Sequence, residues 1–408
     1  MRNVEPDGEP SSSLTGGLRL ARRMGALPEQ FFSTLVAKTE ARVAAGHDVI
    51  NLGQGNPIDE TPPHIVDRLR SMAGELRYQR YVPFSGLSEL KASAARWYAA
   101  RYGVQLDPVR EIAITMGMKV ALQEISLMVL NPGEEALVAD PGYPDYWSGI
   151  ALAGGIRRSL PLLPANGFQP AWDAAPASRL VFLNYPHNPT GALAGPDTFS
   201  GAVAYARRSG AVIVHDLAYG DIVFDGRPAT SFLAEPGARA VGLELTSFSK
   251  SYNMAGWRLG LAAGSGELIA GLETIQDHLH CSQFGAIQQA GIAALESPSA
   301  VVAGEALRYQ RRRDALVEGL RQAGWEVAPP GGGIFCWAPV PAGGDAVTFA
   351  NFLLERADVV VAPGVGFGRF GAGYVRLSLT APAARLEEAA RRIGDVLPAW
   401  RDGGSPDG

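Results

Sequence analysis

Lysine is scarce in this 408-residue chain: of 36 lysines and arginines, only Lys38, Lys91, Lys119 and Lys250 are lysine. Cysteine is scarcer. Cys281 and Cys336 stand far apart without CxxC spacing, which excludes a disulfide framework and is expected of reduced thiols in a cytosolic protein. The six histidines, His47, His64, His187, His215, His278 and His280, form no HExxH or similar cluster, so no metal site is expected. No apolar run reaches about eighteen residues, the length of a membrane-spanning helix. A net charge of −5 with 19% charged residues argues against a nucleic acid or an anionic membrane as partner. There is no internal repeat. The opening stretch MRNVEPDGEPSSSLTGG carries acids and lacks an apolar core segment, so a disordered tail is expected there rather than a signal peptide.

What is present, from residue 111 on, is an alternation of short apolar runs and longer amphipathic ones. EIAITM (111–116), ALVAD, RLVFLN (179–184), AVIVHD (211–216), VGLELTS (241–247) and RLGLAAG (258–264) read as buried strands, with helical stretches such as MKVALQEISLMVL and PDTFSGAVAYARRSG between them. This pattern predicts an α/β domain with a mostly parallel sheet covered by helices on both faces. After about residue 266 the texture changes. One long helix is expected through ELIAGLETIQDHLHCSQFGAIQQAGIAAL and a second over 301–323, followed by WEVA, IFCWAPV, FANFLLERA, VVVAP, YVRLSL and PAARLEEAARRIGDVL as a smaller α+β domain. The expected division is a tail at 1–17, an arm at 18–50 packing on the small domain, a large domain at 51–285, a small domain at 286–400 and a tail at 401–408.

Ligands of open α/β sheets bind beyond the carboxyl ends of the strands, and the polar oddities of this chain collect there. AVIVHD ends on Asp216, with Tyr219 three residues on. RLVFLN runs into YPHNPTG and Asn188. EIAITM is followed by Gly117, where a helix start offers free N–H groups to an anion. VGLELTS runs into FSK, delivering Ser247, Ser249 and Lys250. Taken singly, an acid after a strand is a cap, NPTG is a turn and a serine-rich loop is solvated. Together they supply an acid, an amide, hydroxyls, a lysine and a helix N-terminus to one place.

That set suits pyridoxal 5′-phosphate. Its aldehyde requires a lysine amine to form a Schiff base, its ring nitrogen a carboxylate, its phenolic oxygen donors such as Asn188 and Tyr219. Its phosphate calls for hydroxyls, a helix start and a guanidinium, for which Arg258 offers a matched fork. Tyr143, in PGYP, offers a ring face to stack on the pyridine.

Tyr143, NYPHNPTG, HDLAY, SFSK with Arg258, and YVRLSL, in that order over roughly residues 24–396, resemble the fold-type I, class I/II aminotransferases. LPEQFF, GHDVINLGQGNP, TPPHIV, DPGYPDYWSG and YNMAGWR are similar to a bacterial subgroup assigned to methionine salvage and to diaminopimelate or alanine formation. The resemblance implies a large domain with a mostly parallel, seven-stranded-type sheet and a cytoplasmic homodimer with shared sites. It makes Lys250 the Schiff-base lysine and catalytic base and acid, Asp216 the partner of the ring nitrogen, and Asn188 and Tyr219 the holders of the phenolic oxygen. Ser247, Ser249, Arg258 and the backbone of Gly117, Met118 and Lys119 would grip the phosphate, which Tyr81 of RYVPFSGL would reach in the neighbouring subunit. Arg376 of YVRLSL would clamp the substrate carboxylate, with Asn188 and the backbone of Gly55 beside it.

The expected reaction is reversible, ping-pong transfer of an amino group between an L-amino acid and a 2-oxo acid. The alternative is another amino-acid reaction on the same scaffold: β-elimination, oxidative deamination or cyclisation. Departures from the family pattern at Met118, His187, 279–283 and GGGIF (331–335) bear on the substrate. PGVGFGRFGAG (363–373) matches G-x-G-x-x-G but follows no first strand of a βαβ unit, so a tight loop before the Arg376 strand is expected rather than a dinucleotide site.

Overall fold

The computed structural model describes residues 20–28 and 32–403. The expected tail at 1–17 lies outside them. At the other end the last helix runs to Arg401 and residues 402–403 follow it, so only 404–408 of the expected tail is undescribed.

The chain enters through helix α1 (Phe32–Ala44) and strand β1 (Ile50–Asn51), then forms α2 (Pro63–Ala73), α3 (Leu76–Gln79) and α4 (Ser88–Tyr102). The main sheet follows: β2 (Ile112–Thr115), α5 (Met118–Val129), β3 (Glu135–Asp140), α6 (Asp145–Leu152), β4 (Ile156–Pro161), β5 (Leu180–Asn184), α7 (Thr198–Ser209), β6 (Val212–Leu217), β7 (Gly242–Ser247), α8 (Phe248–Ser251) and β8 (Gly260–Gly264). The sheet order is β2-β8-β7-β6-β5-β3-β4. Only β8 runs against its neighbours, pairing antiparallel with both β2 and β7. The mostly parallel seven-stranded sheet is therefore present.

The inner strands lie between two apolar layers, because alternate side chains of each strand feed one layer or the other. Leu137, Val181, Leu183 and Ile213 join one buried cluster with α4 and α7. Ala136, Val138, Leu180, Phe182 and Val214 join the other, with α5 and α6. Each such large side chain contributes roughly 1.5–3 kcal/mol on burial. Edge strand β4 carries no long apolar run and was missing from the sequence reading. Arg157 and Arg158 occupy it, Arg157 stacking over Trp147 at 4.0 Å and Arg158 pairing with Glu135, and charges of this kind keep an edge from pairing with other chains.

The long helix expected over 267–295 is two, α9 (Gly266–Leu279) and α10 (Gly285–Leu295). Polar side chains divert the backbone between them. His280 Nε2 meets Glu124 of α5 at 2.6 Å, and Gln288 Nε2 donates to Ser282 Oγ and to the carbonyl of Gln283, local bonds that compete with a continuous helix.

Beyond lie α11 (Ser299–Gln322), β9 (Phe335–Pro339), α12 (Ala346–Ala357), β10 (Val359–Val360), β11 (Ala362–Pro363), β12 (Tyr374–Ser378) and α13 (Ala383–Arg401). The antiparallel order β11-β12-β9 packs on the helices through Tyr309, Leu316, Phe349, Leu353, Leu377, Leu386 and Ile393. WEVA is buried here at Trp325 and Val327 but forms no strand. Trp325 is instead pinned by its indole N–H, which donates to the Pro339 carbonyl, and by its edge contact with Phe349.

Two packing facts bear on the division into domains. Ile50 and Leu52 sit in the small unit's core and β1 pairs with β10, while Arg42 of α1 bonds Asp358 at 2.7 Å. Helix α10, by contrast, buries Ala290, Ile292 and Ala294 with Leu90 and Ala94 of the large unit. We propose that the division falls at the α10–α11 link near residue 297, not at 285/286, with α1 and β1 assigned to the small unit.

Candidate active site

The parallel register sets strand ends side by side. Asn184 of β5 stands opposite Asp216 of β6, and Leu217 opposite Thr246 of β7, so residues just past these pairs face one cleft. A cavity of about 590 Å³ opens there between the sheet, the arm and the small unit. It is lined by Gly55, Met118, Lys119, Tyr143, Asn188, Asp216, Tyr219, Ser247, Ser249, Lys250, Arg258 and Arg376. Twelve of the residues singled out from the sequence thus meet in one place.

Lys250 rides on the single turn α8, whose start is capped by Ser247 Oγ accepting the Ser249 N–H at 3.1 Å. The cap fixes the turn directly after β7, so the lysine leaves the sheet at a set angle. Its Nζ donates to the Gly55 carbonyl at 2.6 Å. Burial, then the positive charges of Arg376 and Arg258, lower its pKa to about 8.

Asp216 is buried and its pKa is pushed up, chiefly by that burial. Tyr146 Oη donates to its Oδ2 at 2.9 Å and the Ala218 N–H to its Oδ1 at 3.0 Å. Asn184 Nδ2 donates to the Asp216 carbonyl, and its Oδ1 accepts the Asn188 N–H, both at 2.7 Å. One amide thus ties the two strand ends together. The Tyr219 phenol is pushed up by burial and by the nearby Asp216, and lies in hydrogen-bonding reach of Asn188.

A second corner suits an anion. Helix α5 begins at Met118 after Gly117, whose φ of +75° falls where side chains are strained. A Cβ there would lie 2.5 Å from Arg258 Nη2. The bare glycine therefore lets the guanidinium approach the first α5 amides, which have no partner within the helix. Arg258 is itself left-handed, with φ +56°, and its Nη1 donates to the Ala255 carbonyl at 2.9 Å.

Opposite stands Arg376, buried between the rings of Phe335 and Phe367, 3.9 and 4.5 Å from their centroids. Its Nη1 donates to Asn188 Oδ1 at 3.0 Å and its Nη2 to the Gly53 carbonyl at 2.9 Å. Burial lowers its pKa to about 10, still well above neutrality, so a fixed cation faces the cavity.

Tyr81 does not line this cavity and is 83% exposed. Sequence reading gave no role to Tyr146, Asn184, Phe367, Trp147 and Asp145, and marked Phe335 only as part of the GGGIF departure. Asn184 and Tyr146 stand inside motifs already quoted, NYPHNPTG and PGYPDYW, and their positions beside a buried acid could have marked them. Phe335 was marked only by the GGGIF departure and Phe367 by nothing, because only the folded small unit brings them to Arg376. His187, flagged as a departure, turns away from the cavity to meet Thr190 Oγ1 at 2.7 Å, and burial lowers its pKa to about 3.

A buried acid, a lysine of depressed basicity, a glycine-and-arginine anion cradle and a second guanidinium fit pyridoxal 5′-phosphate. Among the described residues the donors to Asp216 are neutral, the Tyr146 phenol and the Ala218 N–H, and a protonated ring nitrogen would complete it. The Gly117 cradle is open where a Cβ would close it. Fold and site together define an enzyme of the fold-type I class that works on amino groups with this cofactor. The sequence profile of the family Aminotransferase class I and II matches residues 47–393. The chain is 45% identical over 91% of its length to the L-glutamine–4-(methylsulfanyl)-2-oxobutanoate aminotransferase of Bacillus subtilis, covering 94% of that protein. It is 42% identical over 92% of its length to an LL-diaminopimelate aminotransferase of Moorella thermoacetica, covering 98% of it. A substrate-bound BacF structure from Bacillus subtilis superposes with a TM-score of 0.87 at 38% identity, over 91% of this chain and 96% of that one. The chain belongs to the class I and II aminotransferases, and with pyridoxal 5′-phosphate it moves an amino group between an amino acid and a 2-oxo acid.

Proposed function

We propose that Lys250 is the covalent anchor and the proton carrier of this transfer, the reading supported above all by its amine standing in one cavity with Asp216 and Arg376. When bound, the cofactor supplies an electron sink for the bond broken at the substrate α-carbon. Arg376 and Asn188 hold the α-carboxylate, Arg376 as a two-pronged donor that the Phe335 ring keeps flat. That grip aims the α-hydrogen at Lys250 Nζ, which takes the proton and returns it. Asp216 balances the ring nitrogen, Tyr219 and Asn188 the phenolic oxygen. Tyr143 covers the ring. Ser247, Ser249, Arg258 and the amides of Gly117, Met118 and Lys119 bind the phosphate. Gly55 contributes its backbone beside the substrate, and its carbonyl accepts from the free Lys250 amine at 2.6 Å. Donor and acceptor occupy the same cavity in turn.

The donor in this reading has a neutral side chain of glutamine size. Arg376 and Arg258 are committed to carboxylate and phosphate, and at the rim Lys119 Nζ pairs with Asp145 at 3.0 Å, so neither of that pair is left over for a second charged substrate group. Glutamine is the donor in the name of the Bacillus subtilis relative. The reading is tested by kcat/KM for glutamine against LL-diaminopimelate with one fixed 2-oxo acid: preference for LL-diaminopimelate, whose far end carries a second carboxylate and ammonium, would overturn it.

The working unit in this reading is a cytoplasmic homodimer. The loop bearing Tyr81 is pressed on β2 through Gly86 and Ile114, while the Tyr81 phenol is exposed, in line with a role at the partner's phosphate. Cys281 and Cys336 are both free thiols.

A further inference from the structure

The glycine-rich run set aside as a false dinucleotide motif forms two short turns, Gly364–Phe367 and Arg369–Gly371, in the small unit. It crosses to the large unit and lands on the end of β3. Asp140, buried there, accepts Ser159 Oγ on Oδ2 at 2.7 Å and the Phe370 N–H on Oδ1 at 3.1 Å. The Gly142 N–H donates to the Phe367 carbonyl at 2.8 Å. Gly368, at φ +133°, lies so close that a Cβ on it would stand 2.1 Å from Asp140 Oδ1. Two crossed hydrogen bonds and one bare glycine therefore fix the loop. Between them is Phe367, whose ring faces the Arg376 guanidinium at 4.5 Å and the cavity.

We propose that Asp140 is a positioning residue for substrate: it locks the glycine loop of the small unit to the rim of the sheet and so holds Phe367 against Arg376. The inference rests on the reading that Arg376 takes the α-carboxylate. With the lock made, the guanidinium is held between two rings and meets the carboxylate already oriented, so binding does not first have to order it. With the lock broken, the loop and Phe367 swing free, and the carboxylate meets an arginine still tied to Asn188, Gly53 and Phe335 but uncovered on its Phe367 side, where water enters. Asp140 itself touches no reacting atom.

The test uses holoenzyme and 2-methylalanine, which offers an α-carboxylate and no α-proton and is indifferent to side-chain preference. Asp140→Ala removes the acceptor and should weaken 2-methylalanine binding, measured by calorimetry, and raise the KM of amino donors by about tenfold, as for loss of a hydrogen bond to a buried charged group. Its kcat and its affinity for pyridoxal 5′-phosphate should stay within about twofold. Asp140→Asn keeps an acceptor for Phe370 and should restore both values to within about twofold. Gly368→Ala strikes the lock from the loop side, leaves β3 and β4 intact and should repeat the KM effect even where Asp140→Ala folds poorly. Normal 2-methylalanine binding in both Asp140→Ala and Gly368→Ala, or an Asp140→Asn variant as weak as Asp140→Ala, overturns the proposal. Arg376→Lys separates the two claims: if it leaves 2-methylalanine binding unchanged, the role of Arg376 fails; if it weakens binding while the lock variants do not, only the lock fails.

Discussion

Tyr146 donates its phenolic hydrogen to Asp216 Oδ2 at 2.9 Å while its ring stacks on Phe182, 4.9 Å between centroids and 2° from parallel. The stacking fixes the ring, so the hydroxyl is delivered to the buried acid without loss of side-chain freedom on cofactor binding. Tyr146→Phe keeps the stack and deletes the donor. Burial already pushes the Asp216 pKa up and this hydrogen bond opposes it, so the variant should hold the acid protonated to higher pH. Pyridoxal 5′-phosphate should then bind about tenfold more weakly, in keeping with about 1.5 kcal/mol for a hydrogen bond to a charged group. Cofactor titration by protein fluorescence measures it, and an unchanged affinity removes Tyr146 from the site.

Lys250 gives the site its pH dependence. Its folded pKa of about 8 lies below the ordinary 10.5, so between those values the folded apo-protein binds fewer protons than the unfolded chain. Stability from this group therefore rises with pH across that window, and below pH 8 its burial is a cost. In its proposed role as anchor Lys250 must be neutral when the cofactor attaches, so the rate of uptake by apo-protein should climb through about pH 8. Arg376→Met removes a neighbouring positive charge and should move that midpoint upward. Stopped-flow uptake between pH 6.5 and 9.5 (about one and a half units either side of that midpoint) would show it, and a midpoint that does not move clears Arg376 of any influence on the amine.

Much of this site was legible because the polar residues follow strands: Asp216, Asn188 and Lys250 interrupt apolar runs at the one end where a parallel sheet binds ligands. The strands themselves showed as near-continuous apolar stretches, since both faces are covered. Strand β4 did not, because an edge needs little apolar sequence. The break at 280–284 was hidden for another reason. It comes from His280 and Gln288 finding partners on α5 and in the loop, and no local composition records such contacts. The contact of Phe335 and Phe367 with Arg376 was hidden for the same reason, being made only when the small unit folds around that guanidinium.

The Gly117 cradle makes a sharp prediction. Gly117→Ala demands an alanine at φ +75° and ψ 168°, a region open essentially to glycine that costs roughly 1–3 kcal/mol, and places a methyl 2.5 Å from Arg258 Nη2. The guanidinium must move away from the α5 amides. Pyridoxal 5′-phosphate and inorganic phosphate should both bind at least tenfold more weakly, while pyridoxal, which lacks the phosphate, should bind as it does to the unaltered protein. Equal losses for pyridoxal and its phosphate would mean that the substitution damages the ring site and that the anion corner is elsewhere.

The rim pair carries the question of substrate. Lys119 is about half exposed and Asp145 much less so, and Asp145 also accepts from the Tyr143 phenol. The carboxylate is therefore tied down and neutralises a lysine that could otherwise attract an acidic donor. Asp145→Asn keeps the size and a hydrogen-bonding partner for Tyr143 but frees the Lys119 charge. Because that charge is solvent-screened, the gain should be modest, about 0.5–1 kcal/mol. The kcat/KM for glutamate should rise about two- to fivefold while that for glutamine holds. Lys119→Gln on top of Asp145→Asn should cancel the gain, because the attracting charge is then gone. A glutamate gain that survives the double substitution would assign it to some other change at the rim, and a loss for both donors alike would make Asp145 a support for Tyr143 rather than a determinant of charge preference.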